Sequence, residues 1–150
     1  METEVALRRT VKAVVALLVV GFIVSGCSGG VDGPVVEGNR RSGGGDAEVF
    51  GEVVIEGDCI YLYQSEIDTR YPVIWPHGTE WDSDQIAVVL ADGTTASEGA
   101  EVYGGGGYHH LDGLSEDTTE EGVALVSSCV DNEFGEVAVF NSSGGVEVRG

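Results

Sequence analysis

The side chains of this 150-residue chain best suited to hold a metal or attack an electrophile are three histidines, His77, His109 and His110, and three cysteines, Cys27, Cys59 and Cys129. Imidazoles can hold zinc or copper, but side chains alternate along a strand, so adjacent His109 and His110 face opposite ways and only one readily joins His77. Neither Cys59 nor Cys129 has a second thiolate at Cys-x-x-Cys spacing. Asp82-Ser83-Asp84 begins like a calcium loop, yet Ala87 and Gly93 stand where a helix-loop-helix calcium site needs Gly and Glu. No metal or cofactor is expected. Gly26-Cys27-Ser28-Gly29-Gly30 spells the Gly-x-Ser-x-Gly of hydrolase nucleophiles, but it lacks the strand before it and the helix after it. Carboxylates are so abundant that some pair must fall at the separation glycosidases use, which removes the information from such a pair. The chain is therefore read as a non-enzyme. Tyr71, Trp75, His77 and Trp81 are the ligand-surface candidates, since clustered aromatics line grooves and binding hot spots. Their competing use is core, because a small domain draws much of its apolar area from aromatics.

The elements that would position these residues have the punctuation of a β protein. Glu48 to Tyr63 is one long run, with Val53, Ile55, Cys59, Tyr61 and Tyr63 on one parity and Gly51 and Gly57 as bend or bulge points. Tyr71-Pro-Val-Ile-Trp-Pro76 suits an edge strand or an extended connection better than a central strand. Ile86 to Leu90 leads into Asp92-Gly93, a hairpin turn signal. Glu101 to Tyr103 runs into Gly104 to Gly107 and then Tyr108 to Leu111. Asp112 to Gly122 is acidic and loop-like, although Ser115 to Thr118 could cap one helical turn. Val123 to Val130, Glu136 to Phe140 and Val146 to Val148 read as further strands. Five to seven evenly spaced strands with glycine corners predict an all-β domain, a small closed or partly open barrel, because a flat sheet would leave its edges unpaired.

Residues 1–26 have the three zones of an export signal. Arg8, Arg9 and Lys12 form a basic start; Ala13 to Val24 carries no charge and is too short to span a bilayer; Ser25 and Gly26 are a small-residue exit. Val24-Ser25-Gly26-Cys27 resembles the lipobox of bacterial lipoproteins. That resemblance implies diacylglycerol on the Cys27 thiol, cleavage before Cys27, and a lipid-anchored, extracytoplasmic product in the cell envelope. Residues 27–47, rich in Gly and Ser, read as a flexible linker, and residues 48–150 as the barrel domain. Removing the signal leaves four arginines, no lysine and 24 carboxylates, a formal charge of −20. Such a field repels nucleic acid and anionic lipid head groups and attracts cations or a basic protein surface. The expected partners are the membrane, through the anchor, and an envelope protein or basic surface.

A long glycine-bent first strand, a hairpin, and then Gly99-Ala-Glu-Val-Tyr-Gly-Gly resemble an OB-type barrel over about residues 49–140. The Tyr71 to Trp81 segment is similar to that of small bacterial lipoproteins, a likeness that brings no activity with it. Cys59 and Cys129 are the only cysteines left once Cys27 is acylated, an even pair in an oxidising compartment, and are expected to be bonded. The reading is an envelope binding or interaction module. A divalent-cation binder and a small envelope enzyme stay open as alternatives.

Overall fold

A computed structural model describes residues Gly30–Gly150. Cys27 and the export signal lie outside them. Five strands close a barrel: β3 (Ala47–Glu56), β4 (Cys59–Gln64), β5 (Thr69–Trp75), β9 (Glu101–His110) and β10 (Glu136–Phe140). The first three form an antiparallel meander, β5 pairs parallel with β10, and β10 and β3 flank β9 on either edge. The described residues are mostly β, as expected, with one α-helix and one 3₁₀ segment among them.

Glu48 to Tyr63 is a hairpin rather than one coiled strand. Glu56 faces Cys59, so Gly57-Asp58 is a two-residue turn, and Gly57 takes the positive φ (57°) that such turns demand. Beyond the barrel, β1 (Gly30–Asp32) pairs with β2 (Val35–Glu37), and β2 lies parallel beside β5. Val35 and Val36 are fully buried there. The linker drawn over residues 27–47 is thus corrected for its described part: two valines in a Gly-rich stretch suffice to dock it, and β1 and β2 belong to the folded unit. Tyr71 to Pro76 is corrected likewise. It is no edge strand, because β5 has β4 and β2 on one edge and β10 on the other; the β10 ladder begins only at Val73, past Pro72.

A second, three-stranded sheet of β6 (Glu80–Asp82), β7 (Ala87–Val89) and β8 (Thr95–Ser97) is inserted between β5 and β9. Its Val88, Leu90 and Ala96 join Val53, Leu62, Trp75, Val102 and Phe140 in the barrel core. The interior is filled by its own side chains, with Trp75 stacked on Phe140 at 5.6 Å. Gly104 and Gly106 turn inward where no side chain fits: a Cβ on Gly106 would stand 2.0 Å from the Val139 carbonyl oxygen. Finally β11 (Val146–Arg149) pairs with the first half of β9, on the same edge that β10 occupies further along.

Val123 to Val130 is corrected from strand to helix. After the 3₁₀ segment Leu111–Glu116 comes α1 (Glu120–Cys129), capped by Thr119, whose side chain accepts the Gly122 N–H. Glu120 and Glu121 lie in its first turn, where the helix dipole favours negative charge. Gly122, Val126 and Cys129 follow at helical spacing and are buried. Val126 packs with Leu114 against Val36, Ile74, Val137 and Val139 on the outer barrel wall, a second core. Cys129 is bonded to Cys59 with Cα atoms 5.7 Å apart, as expected, although it ends a helix rather than a strand. Among the described residues no helix is long and apolar enough to cross a membrane.

Candidate functional site

Because the barrel interior is occupied, chemistry is available only outside it. The alternation that turns Val49, Gly51 and Val53 of β3 inward turns Glu48, Phe50 and Glu52 outward. On β9 the outward set is Glu101, Tyr103 and Gly105, and on β11 it is Glu147 and Arg149. Register brings them together: Phe50 lies opposite Tyr103, which lies opposite Glu147; Glu52 lies opposite Glu101, which lies opposite Arg149; Glu48 lies opposite Gly105. The outer face of β3, β9 and β11 therefore carries an aromatic pair ringed by carboxylates. Phe50 and Tyr103 are stacked, 6.3 Å between centroids and 11° between planes. Arg149 lies over the Tyr103 ring at 4.8 Å and donates to Glu147 at 2.8 Å. Tyr103 donates its hydroxyl to Glu101 at 3.1 Å, and that bond pushes the phenol above its ordinary range. A hollow of about 650 Å³ opens beside the pair, floored by the bare backbone of Gly104 and Gly105 and walled by Asp46, Glu48, Tyr103, Val146 and Glu147.

The residues singled out from sequence do not gather in one site. Tyr71 and Trp75 are core, 5% and 0% exposed, which corrects their reading as ligand surface. Tyr71 packs at 4.7 Å from Tyr108, whose hydroxyl burial pushes above its ordinary range. Trp81 is half-buried against the barrel core and lies over Gly33, where a Cβ would stand 2.6 Å from its ring. His77 Nδ1 stands 2.9 Å from Glu37 Oε1. That contact is not a directed hydrogen bond, and the same oxygen accepts the Gly78 N–H at 2.6 Å. His109 Nδ1 lies 2.8 Å from Asp117 Oδ2, and His110 Nε2 lies 3.7 Å from Glu136. Each histidine thus has its own carboxylate. Among the described residues no group of three or more His, Cys, Asp or Glu side chains is placed to hold a metal.

Several of these polar groups serve the architecture. Asp117 also accepts the Gly43 N–H at 3.1 Å, and Asn141 brackets Gly44 and Gly45 with three hydrogen bonds. Together with Ser142, which donates to the Asn39 carbonyl at 2.7 Å, they pin the segment that leads into β3. Asp82 spends its oxygens on the N–H groups of Asp84 and Gln85 and on the Gln85 side chain, contacts that hold its carboxyl below the usual range. Near the disulfide, Arg70 bridges Glu56 and Asp131 and lies 4.1 Å over Tyr61, whose hydroxyl donates to the Cys129 carbonyl.

Comparison with protein-family models, characterised proteins and solved structures returns no match. The outer face of β3, β9 and β11 is thus interpreted from its own chemistry. No stretch of the sequence displays this face, because only pairing register assembles it, although the alternation Glu48-Phe50-Glu52 is a visible half of the signal.

Proposed function

We propose that this protein is a lipid-anchored binding module of the cell envelope, its ligand surface the outer face of the barrel at Phe50 and Tyr103. The observation that carries the proposal is a barrel interior filled to closure beside an outer face where two aromatic rings remain half-buried. Partly exposed aromatics framed by polar groups are a common form of binding hot spot. The meander order and the closing of β9 on β3 also support the OB-type resemblance, a fold that hosts many functions and assigns none. The disulfide supports an oxidising, extracytoplasmic address, and the lipobox-like Val24 to Cys27 supplies the means of retention there. Two lipid chains make a stable anchor where one is marginal.

The test is metabolic labelling with a fatty acid followed by membrane fractionation of the wild type and Cys27→Ser. Label and membrane association should both vanish in the variant, since serine cannot form the thioether. Retention of either would remove the anchor from the proposal. In parallel, Tyr103→Ala in the anchored protein should markedly reduce cross-linking to envelope components at unchanged thermal stability; unaltered cross-linking would remove the face.

A further inference from the structure

The outer face of β3, β9 and β11 bears Asp46, Glu48, Glu52, Glu101 and Glu147 against a single cation, Arg149. Asp82, Asp92 and Asp117 accept backbone N–H groups of their own chain, whereas among the described residues Asp58, Asp112 and Glu133 are as uncommitted as the carboxylates of this face, so what distinguishes the face is that its carboxylates frame the stacked Phe50 and Tyr103. Among the described residues Asp46, Glu48 and Glu52 make neither a side-chain hydrogen bond nor an ion pair. Their spacing excludes one shared ion. Neighbouring strands lie about 4.8 Å apart and Glu48 to Glu52 spans roughly 13 Å of strand, so the charges form rows rather than a cage. Rows of charge about 7 Å apart along a strand fit the alternate side chains of an extended chain. Arg149 shows what the face accepts, a guanidinium ion-paired to Glu147 and laid over Tyr103. Gly104 and Gly105 leave bare backbone beside it, where another main chain can approach closely.

We infer that this face docks an extended, arginine- or lysine-rich segment of a partner protein, which displaces Arg149 from Tyr103 and Glu147 and sets further cationic side chains against Asp46, Glu48 and Glu52. The inference rests on the binding-module reading and names its ligand. A second copy of this chain does not fit, because its own formal charge of −19 is repelled.

The probe is a fluorescent dodecapeptide of alternating Arg and Ser, titrated by anisotropy into the full chain in non-ionic detergent at low and physiological salt. The wild type should bind, less tightly as salt rises. Glu48→Gln, Glu52→Gln and Glu147→Gln combined should weaken binding about tenfold, and Tyr103→Ala about fivefold. Asp58→Asn, Asp112→Asn and Glu133→Gln combined remove equal charge outside the face and should cost less than about twofold. Arg149→Ala should tighten binding about threefold, and Arg41→Ala, with the same charge change, should not. Circular dichroism melts verify that each variant is folded. Equal weakening by the two triple variants, absence of peptide binding, or displacement by spermine as effective as by unlabelled peptide would overturn the inference. A dimer on sedimentation that Tyr103→Ala dissociates would overturn it in favour of a second copy. Cross-linking to envelope components that needs Tyr103, with no affinity for the peptide, would sink the basic occupant and leave the binding module standing.

Discussion

Replacing Cys59 and Cys129 together by alanine tests how far the late helix and the early hairpin depend on one covalent tie. The bridge spans a sequence separation of 70 residues. In the chain-entropy account, cross-linking so long a loop removes freedom from the unfolded chain worth about 4 kcal/mol at 25 °C. With an unfolding entropy of roughly 2.1 cal/mol/K per residue over about 120 residues, that loss lowers the melting temperature by about 15 °C. Native contacts should survive. Val126 still packs on Val36, Ile74 and Val137, and the Thr119 cap is untouched. Near-ultraviolet circular dichroism at 20 °C should therefore match the wild type, while a thermal scan moves down as a single transition. A double variant that melts within about 3 °C of wild type would refute the entropy argument. Selective loss of helix signal before the barrel melts would instead show that the bridge acts locally.

Four further outcomes follow from the same geometry. Gly106→Ala should destabilise the fold by about 3 kcal/mol in urea titration, since its Cβ would press on the Val139 carbonyl and part β9 from β10. Phe140→Ala should cost about 3 to 5 kcal/mol by the same measurement, because a fully buried ring stacked on Trp75 leaves a cavity. Raising NaCl from 0.01 to 1 M should raise the melting temperature, as screening shortens the Debye length from about 30 to about 3 Å around a formal charge of −19; a falling midpoint would contradict that. Backbone N–H donors hold the Asp82 and Asp92 carboxyls below their ordinary value. Their stabilising contribution is present above the unfolded-state pKa near 4 and is lost as pH falls through the depressed folded values, so carboxyl NMR titration should give midpoints below that of free aspartate.

What could be read from the chain was what is local or what is counted. Cys59 and Cys129 are legible as a pair once Cys27 is set aside as the expected lipid acceptor, and the bond between them is present. Asp92-Gly93 announces its hairpin by chemistry confined to a few residues. Gly57-Asp58 is equally local, yet the shared parity of Val53, Ile55, Cys59, Tyr61 and Tyr63 suggests a single face, whereas a two-residue turn switches parity: Val53 pairs with Leu62 and Ile55 with Ile60, so Cys59, Tyr61 and Tyr63 lie on the opposite face. Val123 to Cys129 misleads for a different reason. Its β-branched residues favour a strand in isolation, and the wall made by Ile74, Val137 and Val139 decides for a helix. Tyr71 and Trp75 are aromatics whose side is set by which face of β5 closes inward, a fact of barrel closure that no window of sequence contains. The same holds for Tyr103, which meets Glu147 and Phe50 only through register.

The docking of β1 and β2 on the barrel sets a leash. With an anchor on Cys27, only Ser28 and Gly29 stand between the lipid and the first residue of β1. Fully extended, that stretch reaches about 10 Å, whereas some twenty flexible residues would wander about 25 Å from the surface. If Cys27 carries the proposed anchor, the proposed module would work in cis, sampling what lies in or against its own membrane, and a partner held deep in the wall would have to send a segment down to meet it.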